Sequence, residues 1–200
     1  MKRYNKTKIF LFVGVLGIAA AALLGCSGQK QAAVDVDTDD AAPWSSAAGG
    51  AYPLVEGLHV TGQSVDIDID TYRLKISGAV EAPQSLSLAE IQAMEAQREL
   101  VTLVCPGFFV DEGYWTGARI GDLLSRAKIK DGATRVTFIS ADGGYSASLG
   151  LDEVMGEGML IAYSFDDKPL PKVHGYPLRV VAKDQQGNRW VKWLGEIVVQ

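Results

Sequence analysis

Leu100-Val101-Thr102-Leu103-Val104-Cys105-Pro106-Gly107 is the stretch on which the reading of this chain turns. Five strand-forming, mostly apolar residues run into a thiol, and the chain then breaks at once into proline and glycine. A strand that ends in a sharp turn presents its last side chain instead of packing it. Cys105 and Cys26 are the two cysteines of the 200-residue chain. A cysteine left without a sequence partner needs an explanation, here an inert buried thiol, a reactive nucleophile or a metal ligand.

The first 26 residues assign Cys26 to export. Lys2, Arg3, Lys6 and Lys8 make a basic start, and Ile9 to Leu24 is an apolar run of 16 residues. That length is short for a spanning helix and suits the apolar region of a signal peptide. The run ends in Leu23-Leu24-Gly25-Cys26, which resembles a bacterial lipobox. The expectation is a signal peptide over residues 1–25 and acylation of Cys26, which anchors the chain to membrane lipid outside the cytoplasm. The competing reading is a transmembrane anchor that happens to end in cysteine.

Removing residues 1–25 takes four basic and no acidic side chains from a total of 19 Lys and Arg against 24 Asp and Glu, leaving a net charge of −9. Such an acidic chain is not expected to bind nucleic acid. Residues 26–50 are rich in Ala, Ser, Gly and Asp, with Asp35, Asp37, Asp39 and Asp40 close together, and read as a solvated tether. Residues 51–200 are long enough for one domain with its own core.

Strand patterns dominate that domain. Tyr72 to Ile76 alternates apolar and basic residues and stops at Gly78; Arg135 to Ser140, Met159 to Tyr163, Leu178 to Ala182 and Trp193 to Val199 also read as strands. Gly143-Gly144 turns the chain into Tyr145 to Leu149. Ser87-Leu88-Ala89-Glu90 is a capping box that predicts a helix from Leu88 to Ala96. Ile120, Leu123, Leu124 and Ala127 follow helical spacing, with Gly117 as a break before them. Strands and short helices without strict alternation predict an α+β domain.

Several chemistries drop out. The chain has no HExxH, no CxxC and no Walker A loop, and its two histidines, His59 and His174, argue against a dedicated zinc site. A cysteine hydrolase would have only His174 as a plausible base. A basic run stands out instead: Lys172, Arg179, Lys183, Arg189 and Lys192 lie against Asp184 alone. It is either a solvated basic face or an anion site in which Gly175 and Gly187 let the backbone approach phosphate oxygens. A thiolate suits a transition metal, and a phosphate cradle suits a phosphorylated cofactor.

At these residues the chain resembles the sulfite oxidase family of molybdopterin-binding oxidoreductases, over about Thr71 to Val199. Thr71 to Gly78 looks like its opening strand, and Ser85 to Ile91 like the helix before its cysteine strand. Leu103-Val104-Cys105 matches the strand whose cysteine ligates molybdenum. Trp115-Thr116-Gly117 with Gly121-Asp122-Leu123-Leu124 matches the segment after it. His174-Gly175-Tyr176-Pro177-Leu178-Arg179 is similar to the H-G-x-P-x-R cofactor loop, and Trp190 to Leu194 resembles the following V-K-W-L.

The resemblance implies a single sulfite-oxidase-type domain of mixed β-sheets with short helices. It implies two-electron oxygen-atom transfer on a sulfite- or sulfoxide-like substrate by a molybdenum–molybdopterin cofactor. Cys105 would be the metal ligand and catalytic thiolate, and His174, Arg179, Arg189 and Lys192 would bind the cofactor. Tyr145 and Asp142 are weighed as site neighbours against plain core or turn roles. The partner implied is an envelope redox protein, a cytochrome or a quinol-linked protein. Two departures support a second reading, a cofactor-free, lipid-anchored accessory module with the same fold. Pro106-Gly107-Phe108-Phe109 follows the cysteine where larger relatives often carry G-N-x-R, and Lys2-Arg3 stands where a twin-arginine signal would be expected. His59 is a loose substitute for the family's N-terminal Arg-Asn-His.

Mass spectrometry of protein from envelope fractions checks the processing. The expected species begins at an acylated Cys26 and carries Cys105 unbridged to it; an intact Met1 or a Cys26–Cys105 disulfide contradicts this.

Overall fold

The computed structural model describes residues 57–200. The proposed signal peptide, Cys26 and the tether lie outside these residues. Ten strands and three short helices follow in order: β1 (Leu74–Gly78), β2 (Gln84–Leu86), α1 (Leu88–Gln92), β3 (Ala96–Cys105), β4 (Phe109–Arg119), α2 (Ile120–Ala127), β5 (Arg135–Ser140), β6 (Ser146–Gly150), α3 (Leu151–Val154), β7 (Met159–Phe165), β8 (Lys168–Pro169), β9 (Arg179–Ala182) and β10 (Leu194–Val199).

The strands form two sheets. The first has the order β2-β1-β10-β5-β6 and is mixed through its one parallel pair, β1 with β10. The second has the order β3-β4-β7-β8, with β9 also on β7, and all its pairs are antiparallel. The α+β class expected from the pattern is what the chain adopts.

The helices obey their local signals. Ser87 Oγ accepts from Glu90 N at 3.3 Å and Glu90 Oε2 accepts from Ser87 N at 2.8 Å, closing the expected capping box. The helix it starts ends at Gln92, shorter than predicted, because Ala96 already pairs with Ala118 and the chain leaves the helix over 93–95 to enter the β3–β4 ladder. In α2, Ile120, Leu123, Leu124 and Ala127 are all fully buried, so one stripe of the helix lies on the core.

Strand β4 was not anticipated. Its inward positions run Asp111, Gly113, Trp115, so an acid and a glycine stand where strand periodicity expects apolar side chains. Gly113 is required because a Cβ there would meet the Phe165 ring at 2.2 Å. Gly117 is part of this strand and not a break before the helix. A Cβ on it would lie 2.1 Å from Ile161 O on β7, at the point where the β4–β7 register shifts.

The β3–β4 hairpin positions the thiol. Cys105 pairs with Phe109 across a three-residue turn in which Gly107 takes φ +79 and Phe108 N donates to Cys105 O at 3.0 Å. The period of two puts Val101, Leu103 and Cys105 on one face. Val101 and Leu103 are buried, and Cys105, one step beyond them, is half-buried at the rim.

Gly117→Ala forces a methyl against β7 backbone. The expected cost is about 1–3 kcal/mol in a denaturant melt, the usual range for overpacking; an unchanged midpoint would mean β4 and β7 are not this close.

Candidate cofactor site

Cys105 opens into a pocket of about 430 Å³ that it shares with Arg179, Lys192, Asp111, His59, Tyr145 and Trp190. Five parts of the chain meet there: the hairpin, the turn between β5 and β6, β9, the segment between β9 and β10, and the segment from Leu58 to Gln63 that precedes β1. Gly187 lets that penultimate segment approach the thiol, since a Cβ there would be 3.7 Å from Cys105 Cβ and 3.2 Å from Leu103 Cδ1.

Arg179 is the unusual member. It is 3% exposed, and among the described residues it makes no ion pair with any carboxylate. Its guanidinium carbon lies 4.9 Å from the Trp115 ring centre and 5.7 Å from that of Trp190. Nη1 donates to His174 O at 3.1 Å, and Nε has no hydrogen-bond partner. Burial pushes the group down to about 10, which leaves it charged at neutral pH. Two indole faces offset part of the desolvation cost, each contact worth roughly 0.5–2 kcal/mol. A buried cation with an unpartnered N–H requires an anion or acceptor beside it.

Lys192 is differently placed. Its ammonium donates to Thr61 O at 2.8 Å, Thr61 Oγ1 at 3.0 Å and Val173 O at 3.0 Å. All three donor directions are engaged, so it offers the pocket charge rather than a free N–H. Burial and the neighbouring Arg179 lower it to about 8.

His174 lies in a short 3-10 turn, Lys172–His174, and is 1% exposed with Nε2 unpartnered. Burial first, then the charges of Lys192 and Arg179, push its imidazole down to about 4, so it is neutral at physiological pH. Gly175 does not open the backbone to a phosphate as expected. Its N–H closes the turn on Lys172 O, and the stems of Arg179 and Lys192 crowd the space where a Cβ would stand, at 3.0 and 3.2 Å.

Arg189 is not brought into the pocket: it is exposed and donates to Ser148 O at 2.8 Å. Asp142 is a turn residue that accepts from Ser140 Oγ and Gly144 N. Tyr145 does line the pocket, with its hydroxyl donating to Asn188 O at 2.7 Å. Sequence reasoning missed Asp111, which is 4% exposed and accepts from His59 N at 2.8 Å and meets His59 Nδ1 at 2.5 Å. The His59 ring stacks on Phe109 at 4.8 Å. An acid at an inward strand position was the available signal.

Residues 60–200 match the family described as oxidoreductase molybdopterin binding domain. The chain belongs to that family. It is 34% identical over 164 residues to mitochondrial sulfite oxidase of Macaca fascicularis, covering 68% of this chain and 30% of the relative. It is 35% identical over 160 residues to an NADPH nitrate reductase of Fusarium oxysporum, covering 67% of this chain and 18% of that protein. The chain thus spans less than a third of these two relatives. With an uncharacterized oxidoreductase, YuiH, of Bacillus subtilis it shares 30% identity over 128 residues, 64% of each chain. The fold also matches the sulfane dehydrogenase SoxCD of Paracoccus pantotrophus, with a TM-score of 0.63, 22% identity, and coverage of 68% of this chain and 40% of that one. The sulfite-oxidase-type fold expected from the motifs is therefore the one present.

The residues fit the family's cofactor. A half-buried thiol suits a metal, and the orphaned Nε of Arg179, in the same pocket, is a polar atom in want of a partner; His174, whose Nε2 is also orphaned, lies behind Arg179 and Lys192 and does not itself line the pocket.

His174 gives a pH dependence of stability. Its folded value of about 4 lies below its ordinary 6.5. Between the two the unfolded chain holds a proton the folded one lacks, so stability present above pH 6.5 is lost as pH falls towards 4. The Tm of His174→Gln, measured against pH, is expected to fall less steeply across that window than wild type; equal slopes would mean the imidazole is solvated.

Proposed function

We propose that this domain binds a molybdenum–molybdopterin cofactor and works as an oxidoreductase in two-electron oxygen-atom transfer on a sulfite- or sulfoxide-like substrate. The observation that carries the reading is the buried Arg179, without an ion-pair partner and with its Nε unsatisfied, in the same pocket as Cys105. When bound, the cofactor supplies the redox chemistry and the transferable oxygen site. The chain's own residues position and shield it.

Cys105 is the residue to ligate the metal, from the end of a strand fixed by a ten-residue ladder with β4. Arg179 supplies charge-assisted hydrogen bonds to the anionic cofactor, held in direction by Trp115 and Trp190. His174, behind the pocket, holds Arg179 through its carbonyl, and Lys192 contributes fixed positive charge while tying down Thr61. Arg189, bonded to Ser148 O, has no part in the site as arranged.

The same reading places the domain outside the cytoplasm, held to membrane lipid through acylated Cys26 on the 26–50 tether. Its electrons would be exchanged with an envelope cytochrome or quinol-linked protein. The export features of the first 26 residues support this.

Elemental and pterin analysis of protein made in a molybdenum-replete host tests the proposal directly, with near-stoichiometric metal expected. Cys105→Ser is expected to abolish oxygen-atom transfer with little change in Tm, because the hydroxyl fits the thiol's space but is a harder ligand. Arg179→Met is expected to split two readouts. Cofactor retention after dialysis falls roughly 10- to 100-fold, from the loss of a charged contact of about 1.5–3 kcal/mol. The cofactor-free protein keeps or gains stability, because a buried unpaired charge has been removed. Wild-type protein free of molybdenum and pterin would leave the accessory-module reading.

A further inference from the structure

The hairpin that carries Cys105 has a second face. Strand periodicity puts Leu100, Thr102 and Val104 of β3 on the side opposite Val101, Leu103 and Cys105, and the register sets them across from Tyr114, Glu112 and Val110 of β4. β7 joins β4 only from Trp115 onward, so the six cross-strand pairs from Leu100–Tyr114 to Cys105–Phe109 extend past it. On the outer side Leu100, Val104, Val110 and Tyr114 are all exposed, and Phe108 in the turn is 86% exposed. Among the described residues seven large apolar side chains are exposed, and these five share one hairpin; the other two, Tyr145 and Met155, stand elsewhere. A single exposed apolar residue needs no explanation, whereas a cluster marks a contact surface.

We propose that the tip of the β3–β4 hairpin, Val104, Phe108 and Val110, docks into the lipid surface to which the chain is anchored. The choice of lipid as occupant rests on the Cys26 anchor of the preceding subsection. About 30 residues separate Cys26 from Gly57, a connector that reaches at most about 100 Å. Gly57 is already beside the hairpin, since a Cβ there would lie 4.0 Å from Glu112 O on β4. The chain therefore enters the fold at the same hairpin that bears the apolar tip. Anchoring makes contact with lipid an intramolecular event, so a small apolar surface is enough to hold an orientation. The order of side chains along the hairpin suits an interface. From Val104 to Val110 there is no charged residue. Glu112, which accepts from Thr102 Oγ1 at 2.8 Å, stands two residues behind Val110, about 7 Å along the strand. Interfacial segments bury to roughly 5–10 Å, a depth that takes in the tip and leaves the carboxylate among the headgroups. Arg98, stacked on Tyr114 at 3.7 Å and paired with Asp167, lies farther back. Val104 and Cys105 are consecutive and face opposite sides, so docking the tip sets the height of the Cys105 pocket above the bilayer.

The test uses the full chain purified from envelope fractions and reconstituted into vesicles of phosphatidylethanolamine and phosphatidylglycerol. A photo-crosslinking benzoylphenylalanine replaces Phe108 in one sample and Asp131, an exposed turn residue before β5 on the other sheet, in a second. After illumination the lipid adduct at position 108 is expected to exceed that at position 131 at least tenfold. With the reporter at 108, Val110→Asp is expected to lower the adduct at least fivefold and Val110→Leu to leave it near its original yield, which separates apolar contact from mere proximity. Equal adducts at 108 and 131 overturn the inference, as does an unchanged yield in folded Val110→Asp protein. Illumination of native envelope membranes decides between occupants: an adduct at 108 with another protein or a second copy in place of lipid overturns it as well. Mass spectrometry of Cys26 in the same samples separates the two failures. An acylated chain without lipid adduct at 108 loses the hairpin assignment and keeps the anchor. A chain without acylation loses the anchor, and its flotation with the vesicles then decides the hairpin: flotation with lipid adduct at 108 keeps the docking, and a chain that stays unbound overturns it.

Discussion

A guanidinium buried without a direct ion pair is the constraint around which this domain is arranged. Removing Arg179 from water is costly, and the usual remedy, an ion pair, is not taken. Two indoles from separate parts of the chain stand in for it, Trp115 on β4 and Trp190 in the segment before β10. Each indole is fixed by its own N–H, on Val101 O at 3.3 Å and on Gln185 O at 3.2 Å. The two rings meet edge to face at 5.5 Å. Holding the charge therefore fixes β4, β9 and the following segment relative to each other, and the strand carrying Cys105 is laddered to β4 along its full length. The site and the core are one packing problem. A domain built only for stability would fill this position with an apolar side chain.

Much of the fold was legible because most of its strands and the second helix follow simple periodicity. Arg135 to Ser140 became β5 with the same bounds, and the helical stripe from Ile120 to Ala127 is buried as spaced. The failures cluster where the site imposes its own demands. Strand β4 was hidden because Asp111 faces a pocket and Gly113 makes room for Phe165, so the two inward positions that should have signalled a strand are polar and empty. The first helix was overextended because a capping box specifies a start and not a stop, while the end was decided by pairing with residues over twenty positions away.

The site was legible in part, and by composition more than by role. Cys105, Arg179 and Lys192 could be gathered from separate segments by family likeness, and they do share a pocket. Nothing local distinguishes Arg179 from Arg189, two basic residues ten positions apart in a basic run. Burial makes the difference: one sits on a fully buried strand and the other caps the surface against Ser148 O. Asp111 was missed for the complementary reason. Acidic residues are so often solvated that one at an inward strand position stands out only once the strand is seen.

The segment from Leu58 to Gln63 joins the pocket through polar anchors more than through apolar area. His59 is tied to Asp111 by its backbone and its ring, and Thr61 is tied to Lys192 by its carbonyl and its hydroxyl, across 131 positions of sequence. Leu58 is its one fully buried apolar side chain. Hydrogen bonds of this kind contribute about 1 kcal/mol each, and those to charged groups somewhat more. Such a segment is held by far less than the sheets beneath it, where whole ladders and a continuous apolar core must open together. The pocket wall is therefore the part of the domain that can yield without unfolding the rest. Its anchors are Asp111 and Lys192, two of the charged side chains that line the pocket with Arg179. The wall and part of the pocket's charge thus rest on the same two side chains, Asp111 on β4 and Lys192 in the segment before β10.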